Sequence, residues 1–162
     1  MLVGPVISQG AADRILGVIE DAVTGKAGEL ITGGKRLDGE LADGYYIQPT
    51  VFGAVGNRSA LAQAETFGPV VSVMKFEDEA EAVRLANDTP YGLNAFVQTR
   101  DLVRAHRVAR QLQAGSVWVN RISDMSPQAP YGGYKQSGFG RTGGLEGLHE
   151  FLQVKSIRIG MS

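Results

Sequence analysis

The residues of this chain that could take part in chemistry are few, and the clearest group is the run Glu65-Thr66-Phe67-Gly68-Pro69. An ionised glutamate offers two acceptor oxygens to hydroxyl groups, and an aromatic side chain follows two residues later. The same run has a second interpretation, in which Glu65 lies on the surface and Phe67 packs in a core ahead of a strand. The pentapeptide by itself does not separate these interpretations.

The chain has no cysteine and only two histidines, two residue types that often carry out covalent or metal chemistry. It has no cysteine, which excludes a disulfide framework and a thiolate metal site. The two histidines, His106 and His149, are too few and too far apart in sequence for a histidine-rich metal site. We therefore predict no metal site and assign no catalytic residue.

A glycine-rich segment, residues 131–147, is the second unusual feature. Glycine accounts for 22 of the 162 residues, roughly twice the usual share of about 7%. Tyr131, Tyr134, Phe139 and Leu145 are interleaved with these glycines, which is not the composition of a flexible linker. The segment is predicted to be a packed, irregular loop whose backbone bends sharply or approaches a ligand or another chain closely.

Length and composition set the class of protein. A chain of 162 residues fits one ordinary domain. With 43% hydrophobic residues and a formal charge of -1, it has no electrostatic reason to bind nucleic acid or an anionic membrane. Residues 1–5 do not have the composition of a signal peptide and no run is long enough to span a membrane, so we expect a cytoplasmic protein.

Helix and strand patterns alternate along the chain. Apolar residues at helical spacing predict a helix that Ser8 caps and that ends near Gly25. Residues 29–32 and 45–52 suggest strands, and Pro49 makes the second an edge or irregular strand. Residues 70–76, 79–87 and 93–97 then predict a strand, a helix and a strand.

A second helix follows, from the cap Asp101 to Gln113, and a further strand is predicted over residues 116–120. The side chains expected on the inner side of that helix are Leu102, Ala105, Ala109 and Leu112. Trp118, on an apolar strand, is assigned to the core. The repeated strand-helix-strand order predicts an α/β fold with a mainly parallel sheet and helices on both faces.

The end of the chain is predicted to be a short helix, residues 145–151, followed by a strand over residues 154–159 in which apolar and basic residues alternate. That strand has no hairpin partner beside it in sequence. An unpaired strand edge attracts another chain, so we expect it to pair elsewhere, for example with another subunit.

Several blocks together, in order and spacing, resemble the C-terminal third of an NAD(P)-dependent aldehyde dehydrogenase. They are residues 4–8, 44–51, 65–70, 87–92, 115–120 and 131–140. In that family a cysteine thiolate attacks the aldehyde, hydride passes to the nicotinamide, and a glutamate-activated water releases the acid. The resemblance implies that the cysteine, that glutamate and the dinucleotide-binding domain all lie outside this chain.

The resemblance assigns cofactor contacts to three residues. Glu65 matches the glutamate that accepts hydrogen bonds from the nicotinamide ribose, and Phe67 matches the aromatic residue that walls the nicotinamide. Leu93 falls where the family places a leucine near the same ring, although a buried strand leucine is the plainer interpretation of Leu93 alone.

The resemblance assigns substrate contacts to three further residues. Asn120 begins the loop that frames the aldehyde entrance, or is simply a turn asparagine. Met125 and Tyr131 align with tunnel-lining positions, with core packing as the alternative for both. Tyr131 carries a hydroxyl where several relatives have phenylalanine, so a partly polar aldehyde fits the pattern.

Two departures from the family pattern limit what can be transferred. Many relatives have glutamate where this chain has Thr142, so no role of that glutamate applies here. Arg121, Asp124 and Ser126 make the predicted tunnel mouth polar, which argues against a long fatty aldehyde.

The favoured hypothesis is that residues 1–150 form a partial catalytic domain and residues 151–162 an oligomerisation strand of an aldehyde dehydrogenase. Such a chain is expected to be inactive alone, to bind NAD or NADP tightly only in the complete enzyme, and to associate with itself or with the missing N-terminal part. A non-catalytic assembly or binding module is the alternative, and a free-standing nucleotide binder is a third, weaker one.

Overall fold

A computed structural model describes residues 3–121 and 125–161. Within it the chain forms two compact units, Met1–Glu81 and Ala82–Ser162. Helix α3 (Glu79–Asn87) crosses from one to the other. The predicted division at residue 150 stays a prediction.

The first unit is built on helix α1 (Gln9–Thr24), which begins and ends where the sequence predicts. The Ser8 hydroxyl oxygen accepts a hydrogen bond from the Ala11 backbone N–H at 3.2 Å, which satisfies one of the free donors of the first turn. The helix stops at Gly25, whose N–H donates to the Asp21 carbonyl. The buried residues of the helix are Ala12, Ile15, Ile19 and Ala22.

A three-stranded sheet packs with α1 in this unit. Strand β1 (Glu29–Thr32) pairs antiparallel with β2 (Thr50–Gly53), and β2 pairs parallel with β3 (Val70–Ser72). Strand β2 begins only after Pro49, which has no N–H for a strand ladder. Phe52 is fully buried in the core formed with α1. The short helix α2 (Ala60–Gln63) and a 3-10 turn (Gly39–Leu41) complete the unit.

The second unit contains a strand-helix-strand repeat. Strand β4 is Tyr91–Gly92, β5 is Asn94–Val97, helix α4 is Leu102–Gln111 and β6 is Ser116–Val119. Strands β5 and β6 pair in parallel, with Phe96 opposite Trp118. Strand β7 (Tyr134–Lys135) pairs antiparallel with β4, and α5 (Gly144–His149) follows.

The α/β class is confirmed, and the described sheets together contain both parallel and antiparallel strand pairs. Two neighbouring strand pairs are parallel and two are antiparallel. The prediction that Leu102 lies on the inner side of α4 is wrong: Leu102 is 71% exposed, whereas Ala105 is buried. Leu102 is the first helical residue after the cap Asp101, so no preceding turn of the helix shelters it.

The second unit has little core of its own. Within its described part, Val83 and Ala105 are the buried apolar side chains other than glycine. Large apolar side chains are instead exposed, among them Phe96, Phe139, Leu145 and Phe151. So many exposed large apolar side chains are unusual for a protein that acts as a monomer.

Residues 152–161 form neither helix nor strand and are exposed. Val154, Ile157 and Ile159 are 99%, 76% and 82% exposed. The predicted strand over residues 154–159 therefore finds no ladder partner in the described chain, and its pairing with another subunit stays a prediction. Among the described residues, no helix combines the length and apolar character needed to cross a membrane.

Candidate functional site

The loop that carries Glu65 and Phe67 connects α2 to β3 and is fastened at both sides. Arg14 on α1 donates from Nη2 to the Thr66 carbonyl at 2.8 Å. At the other side, the Thr50 N–H donates to the Pro69 carbonyl, also at 2.8 Å. The loop is therefore held by the first helix and by the central strand of the same unit.

The loop presents its two candidate side chains outward. Glu65 is exposed, and Phe67 is 75% exposed with a backbone φ of +48°. A left-handed conformation costs a non-glycine residue roughly 1–2 kcal/mol, so packing elsewhere must hold it. The interpretation of Phe67 as a core residue is wrong. Gly68 lies against α1 so closely that an added Cβ would be 2.7 Å from Ile15 Cδ1, which explains how the loop is seated.

A cavity of about 370 Å³ lies in the second unit, between β6 and the loop that leads into β7. Its walls are mostly apolar. The lining residues are Ser116, Trp118, Met125, Ser126, Pro127, Ala129, Pro130, Tyr131, Thr142 and Gly143. The two residues predicted to line a substrate tunnel, Met125 and Tyr131, thus meet at one cavity.

Trp118 corrects a sequence prediction. It is half-buried and lines the cavity instead of lying in the core. Trp118 lies at the cavity because its indole Nε1–H donates a hydrogen bond to Asn94 Oδ1 at 3.3 Å. A tryptophan N–H that is removed from water usually has such an acceptor. Asn94 in turn donates from Nδ2 to the Tyr131 hydroxyl oxygen at 3.1 Å.

Sequence reasoning missed Asn94. The available signal was an amide side chain on a strand whose other members, Ala95, Phe96 and Val97, are apolar. Its partner Tyr131 is fixed by its backbone, which exchanges hydrogen bonds with Thr142 at 2.7 and 2.8 Å. The ring of Tyr131 is thus held from both its backbone and its hydroxyl.

The other two predicted site residues of this unit do not line the cavity. Asn120 has φ +54°; its side chain accepts from the Thr99 N–H at 2.9 Å and donates to the Thr99 carbonyl at 2.6 Å. Asn120 therefore has the structure of a turn asparagine, which was the alternative interpretation of this residue. Leu93 is exposed and its carbonyl accepts from the Ser116 N–H. Asp124 lies outside the described residues.

The glycine-rich loop packs closely on the strands. A Cβ on Gly115 would overlap the Gly132 carbonyl oxygen. Arg141 fastens the same loop by donating to the carbonyls of Gly133 and Gly140, and its guanidinium lies 5.6 Å from the Tyr134 ring centroid. The backbone of the loop is closely packed and irregular, as predicted, whereas the interleaved side chains of Tyr134, Phe139 and Leu145 are exposed.

Among the described residues, the charged groups form no metal centre, and the pKa of the Asp101 carboxyl is lowered. Within residues 3–121 and 125–161, no cluster of three or more His, Cys, Asp or Glu side chains could hold a metal ion. The Arg104 backbone N–H, donating to Asp101 at 3.0 Å, lowers the pKa of that carboxyl, and the nearby cationic side chains act in the same direction. Asp101 is the N-cap of α4, so this shift reports a structural role.

An α/β chain with an outward-facing Glu65 loop and with a cavity next to a glycine-rich loop is compatible with a dehydrogenase of the aldehyde-oxidising type. The chain belongs to the aldehyde dehydrogenase family, whose model matches residues 1–157. This confirms the resemblance found in the sequence.

Proteins similar to this chain include betaine aldehyde dehydrogenases. The chain is 44% identical over 160 residues to the betaine aldehyde dehydrogenase of Sinorhizobium fredii, covering 98% of this chain and 32% of that protein. It is 45% identical over 158 residues to that of Cereibacter sphaeroides, with the same coverage.

Solved structures agree with these relatives. Apo betaine aldehyde dehydrogenase from Staphylococcus aureus has a TM-score of 0.91 at 44% identity, covering 96% of this chain and 31% of that one. A Mycobacterium tuberculosis aldehyde dehydrogenase complexed with NAD⁺ has a TM-score of 0.91 at 38% identity, covering 98% and 32%. The chain thus spans about a third of the length of the relatives it matches.

Proposed function

We propose that this chain is the C-terminal part of an enzyme that oxidises an aldehyde to a carboxylic acid with NAD or NADP, and that it is inactive alone. The observation that carries the proposal is the match over 98% of this chain to only 32% of a betaine aldehyde dehydrogenase. The exposed apolar surface of the second unit supports it, because further polypeptide would cover that surface.

Glu65 and Phe67 are proposed to contact the cofactor. The exposed carboxylate of Glu65 can accept hydrogen bonds from ribose hydroxyls, and the exposed ring of Phe67 can stack beside a nicotinamide. Both fit the nicotinamide end of the cofactor. Leu93, also exposed, is proposed to approach the same ring in the complete enzyme. Bound NAD or NADP would accept the hydride, and the residues of this chain would orient the nicotinamide end of that cofactor.

Met125 and Tyr131 are proposed to form one wall of the aldehyde tunnel, and Asn120 to support the loop at its entrance. Their support is the cavity for the first two and the two Asn120–Thr99 hydrogen bonds for the third. The names of the relatives make betaine aldehyde the first substrate to test.

The chain contains no cysteine. We propose that the nucleophilic cysteine thiolate of the reaction comes from another part of the enzyme. Loss of a covalent nucleophile removes most of an enzyme's rate enhancement. We therefore expect no turnover from this chain with any aldehyde, and no tight NAD or NADP binding.

The test is reconstitution. The purified chain would be assayed alone and together with the upstream two thirds of the Sinorhizobium fredii enzyme, following NADH formation with betaine aldehyde. Activity is expected only from the mixture. Turnover by the chain alone, or a folded complex without activity, would contradict the proposal.

A Glu65→Gln variant tests the proposed cofactor contact. It keeps the shape and one acceptor oxygen of the side chain but removes its charge. In the reconstituted enzyme we expect the KM for NAD to rise by about tenfold, because hydrogen bonds to charged groups contribute roughly 1.5–3 kcal/mol. Glu77→Gln, on an exposed residue of the same unit, should leave the KM unchanged.

The second candidate is a non-catalytic assembly module. The observation that favours it is the exposed apolar segment at residues 154–159, which could join another chain without any chemistry. A stable oligomer of the chain that neither accepts the upstream part nor gains activity would support this candidate instead. We propose self-association or pairing with the N-terminal part in a cytoplasmic protein, and no nucleic-acid or membrane partner; the net charge of -1 supports the last point.

A further inference from the structure

The cavity of the second unit contains a hydrogen-bonded chain whose direction is fixed at one end. The indole N–H of Trp118 can only donate. It faces Asn94 at 3.3 Å, so the oxygen of the Asn94 amide must point toward Trp118. The amide nitrogen must then point the other way, toward Tyr131 at 3.1 Å.

This direction decides what the Tyr131 hydroxyl can do. An amide NH₂ group can only donate, so the Tyr131 oxygen is the acceptor in its contact with Asn94. The contact leaves the hydroxyl proton of Tyr131 available for another acceptor. Because Tyr131 lines the cavity, that acceptor can belong to a molecule bound there.

The other hydroxyls of the loop side of the cavity are already used as donors. The Ser126 hydroxyl donates to Gln128 Oε1 at 2.5 Å, and the Thr142 hydroxyl donates to the Tyr131 carbonyl oxygen at 3.4 Å. Met125, Pro127 and Pro130 add apolar walls. Tyr131 is thus a hydrogen-bond donor in a largely apolar cavity, where such a donor is most selective.

We propose that Asn94 is a specificity-determining residue, which orients Tyr131 as a donor so that the cavity favours aldehydes with an ether or hydroxyl oxygen in their chain. This rests on the proposed function in taking an aldehyde as the ligand. Asn94 acts through Tyr131 and is a positioning residue, not a catalytic one.

The test uses the single tryptophan of the chain. Because Trp118 lines the cavity, its indole N–H gives one unambiguous signal in a ¹H–¹⁵N spectrum of the full chain. Two probes of equal length, 3-methoxypropanal and pentanal, differ by an oxygen in place of a methylene group. The ether is expected to bind roughly fivefold more tightly, the usual effect of one neutral hydrogen bond.

Variants separate the roles of the two residues. Tyr131→Phe removes the donor and should abolish the preference. Asn94→Asp keeps the shape but offers only acceptors, so the Tyr131 hydroxyl turns to donate to residue 94, and the preference should again be lost. Gln111→Ala changes an amide side chain on α4, away from the cavity lining, and should keep it. Ser116→Ala should also keep it, which excludes the remaining lining hydroxyl.

Equal binding of the two probes, or no shift with either, would overturn the proposal. So would a preference that survives in Asn94→Asp, since Asn94 would then not orient Tyr131. None of these measurements requires turnover. A chain that prefers the ether but never gains activity with the upstream part would refute the proposed function and leave this inference standing.

Discussion

Arg14 and Thr66, far apart in sequence, are joined by a hydrogen bond of 2.8 Å from the guanidinium Nη2 to the backbone carbonyl. Arg14 belongs to α1, whose side chains Ile15 and Ile19 are buried in the core of the first unit. Thr66 lies between Glu65 and Phe67. A rigid helix therefore positions the backbone from which both proposed cofactor contacts project.

The first prediction concerns this bond. Arg14→Ala should loosen residues 65–69 and destabilise the first unit by about 1 kcal/mol, the usual net contribution of one hydrogen bond. Amide hydrogen exchange should become faster at Phe67 and Gly68 while α1 keeps its protection. Arg58→Ala, at another exposed arginine of the same unit, is the control. Equal exchange in both variants would show that Arg14 does not hold the loop.

Local signals in the sequence predicted much of the fold. Ser8 and Asp101 were recognised as helix caps because a cap acts on backbone groups within three residues of itself. The β5-α4-β6 unit was recognised for a similar reason, since each element has its own apolar pattern. The family blocks added the candidate site residues Glu65, Phe67, Met125 and Tyr131.

What the sequence did not predict depends on contacts between distant residues. Trp118 looked like a core residue because nothing near it in sequence shows that Asn94, on the neighbouring strand, would receive its indole N–H. Phe67 could be a core or a surface residue until its loop was seated on α1. Such pairings are set by strand register and by loop packing, which single-residue patterns do not encode.

The second prediction follows from the lowered pKa of Asp101. A carboxyl whose pKa is lower in the folded chain stabilises it above the unfolded pKa of about 3.9, and that contribution is lost as the pH falls through the folded value. Protection of α4 amides against exchange should therefore fall as the pH is lowered below about 4.

Asp101→Asn is the matched control for this pH effect. Asparagine caps helices about as well as aspartate but has no charge to lose. In this variant the pH dependence of α4 protection should be much weaker. If both proteins lose protection over the same pH range, a different carboxyl is responsible.

The third prediction concerns the glycine-rich loop. Gly115→Ala places a methyl group where the Gly132 carbonyl oxygen lies, and backbone cannot move aside as a flexible side chain can. We expect the second unit to be destabilised by about 1–3 kcal/mol, the usual cost of overpacking. The cavity should be disturbed as well, because the Gly132 backbone adjoins Tyr131.

Gly17→Ala makes the same change with the opposite expected sign. Gly17 lies inside α1, and nothing is within 4 Å of an added Cβ. Alanine should stabilise this helix by about 0.5–1 kcal/mol. Urea unfolding of both variants measures the two effects, with the second unit followed by the fluorescence of Trp118 and the first unit, which contains α1, by far-UV circular dichroism. A harmless Gly115→Ala would show that the loop is not packed as described.

The last prediction tests the closing segment. In an extended chain Ile157 and Ile159 point to the same side and Ser156 to the other, and both isoleucines are exposed. If this segment adds a strand to another subunit, Ile157→Asp should shift the chain toward monomer in sedimentation experiments, because a charge opposes burial of that side. It should not change the unfolding of either unit, since the Ile157 side chain is 76% exposed within the single chain.

Ser156→Asp carries the same added charge on the opposite side of the segment and separates charge from position. It should leave association largely intact if the isoleucine side is the one that becomes buried. Equal weakening by both substitutions would point to general charge repulsion. No weakening by either would mean that the exposed apolar surface of the second unit, including Phe96 and Phe139, drives association instead of a strand at residues 154–159.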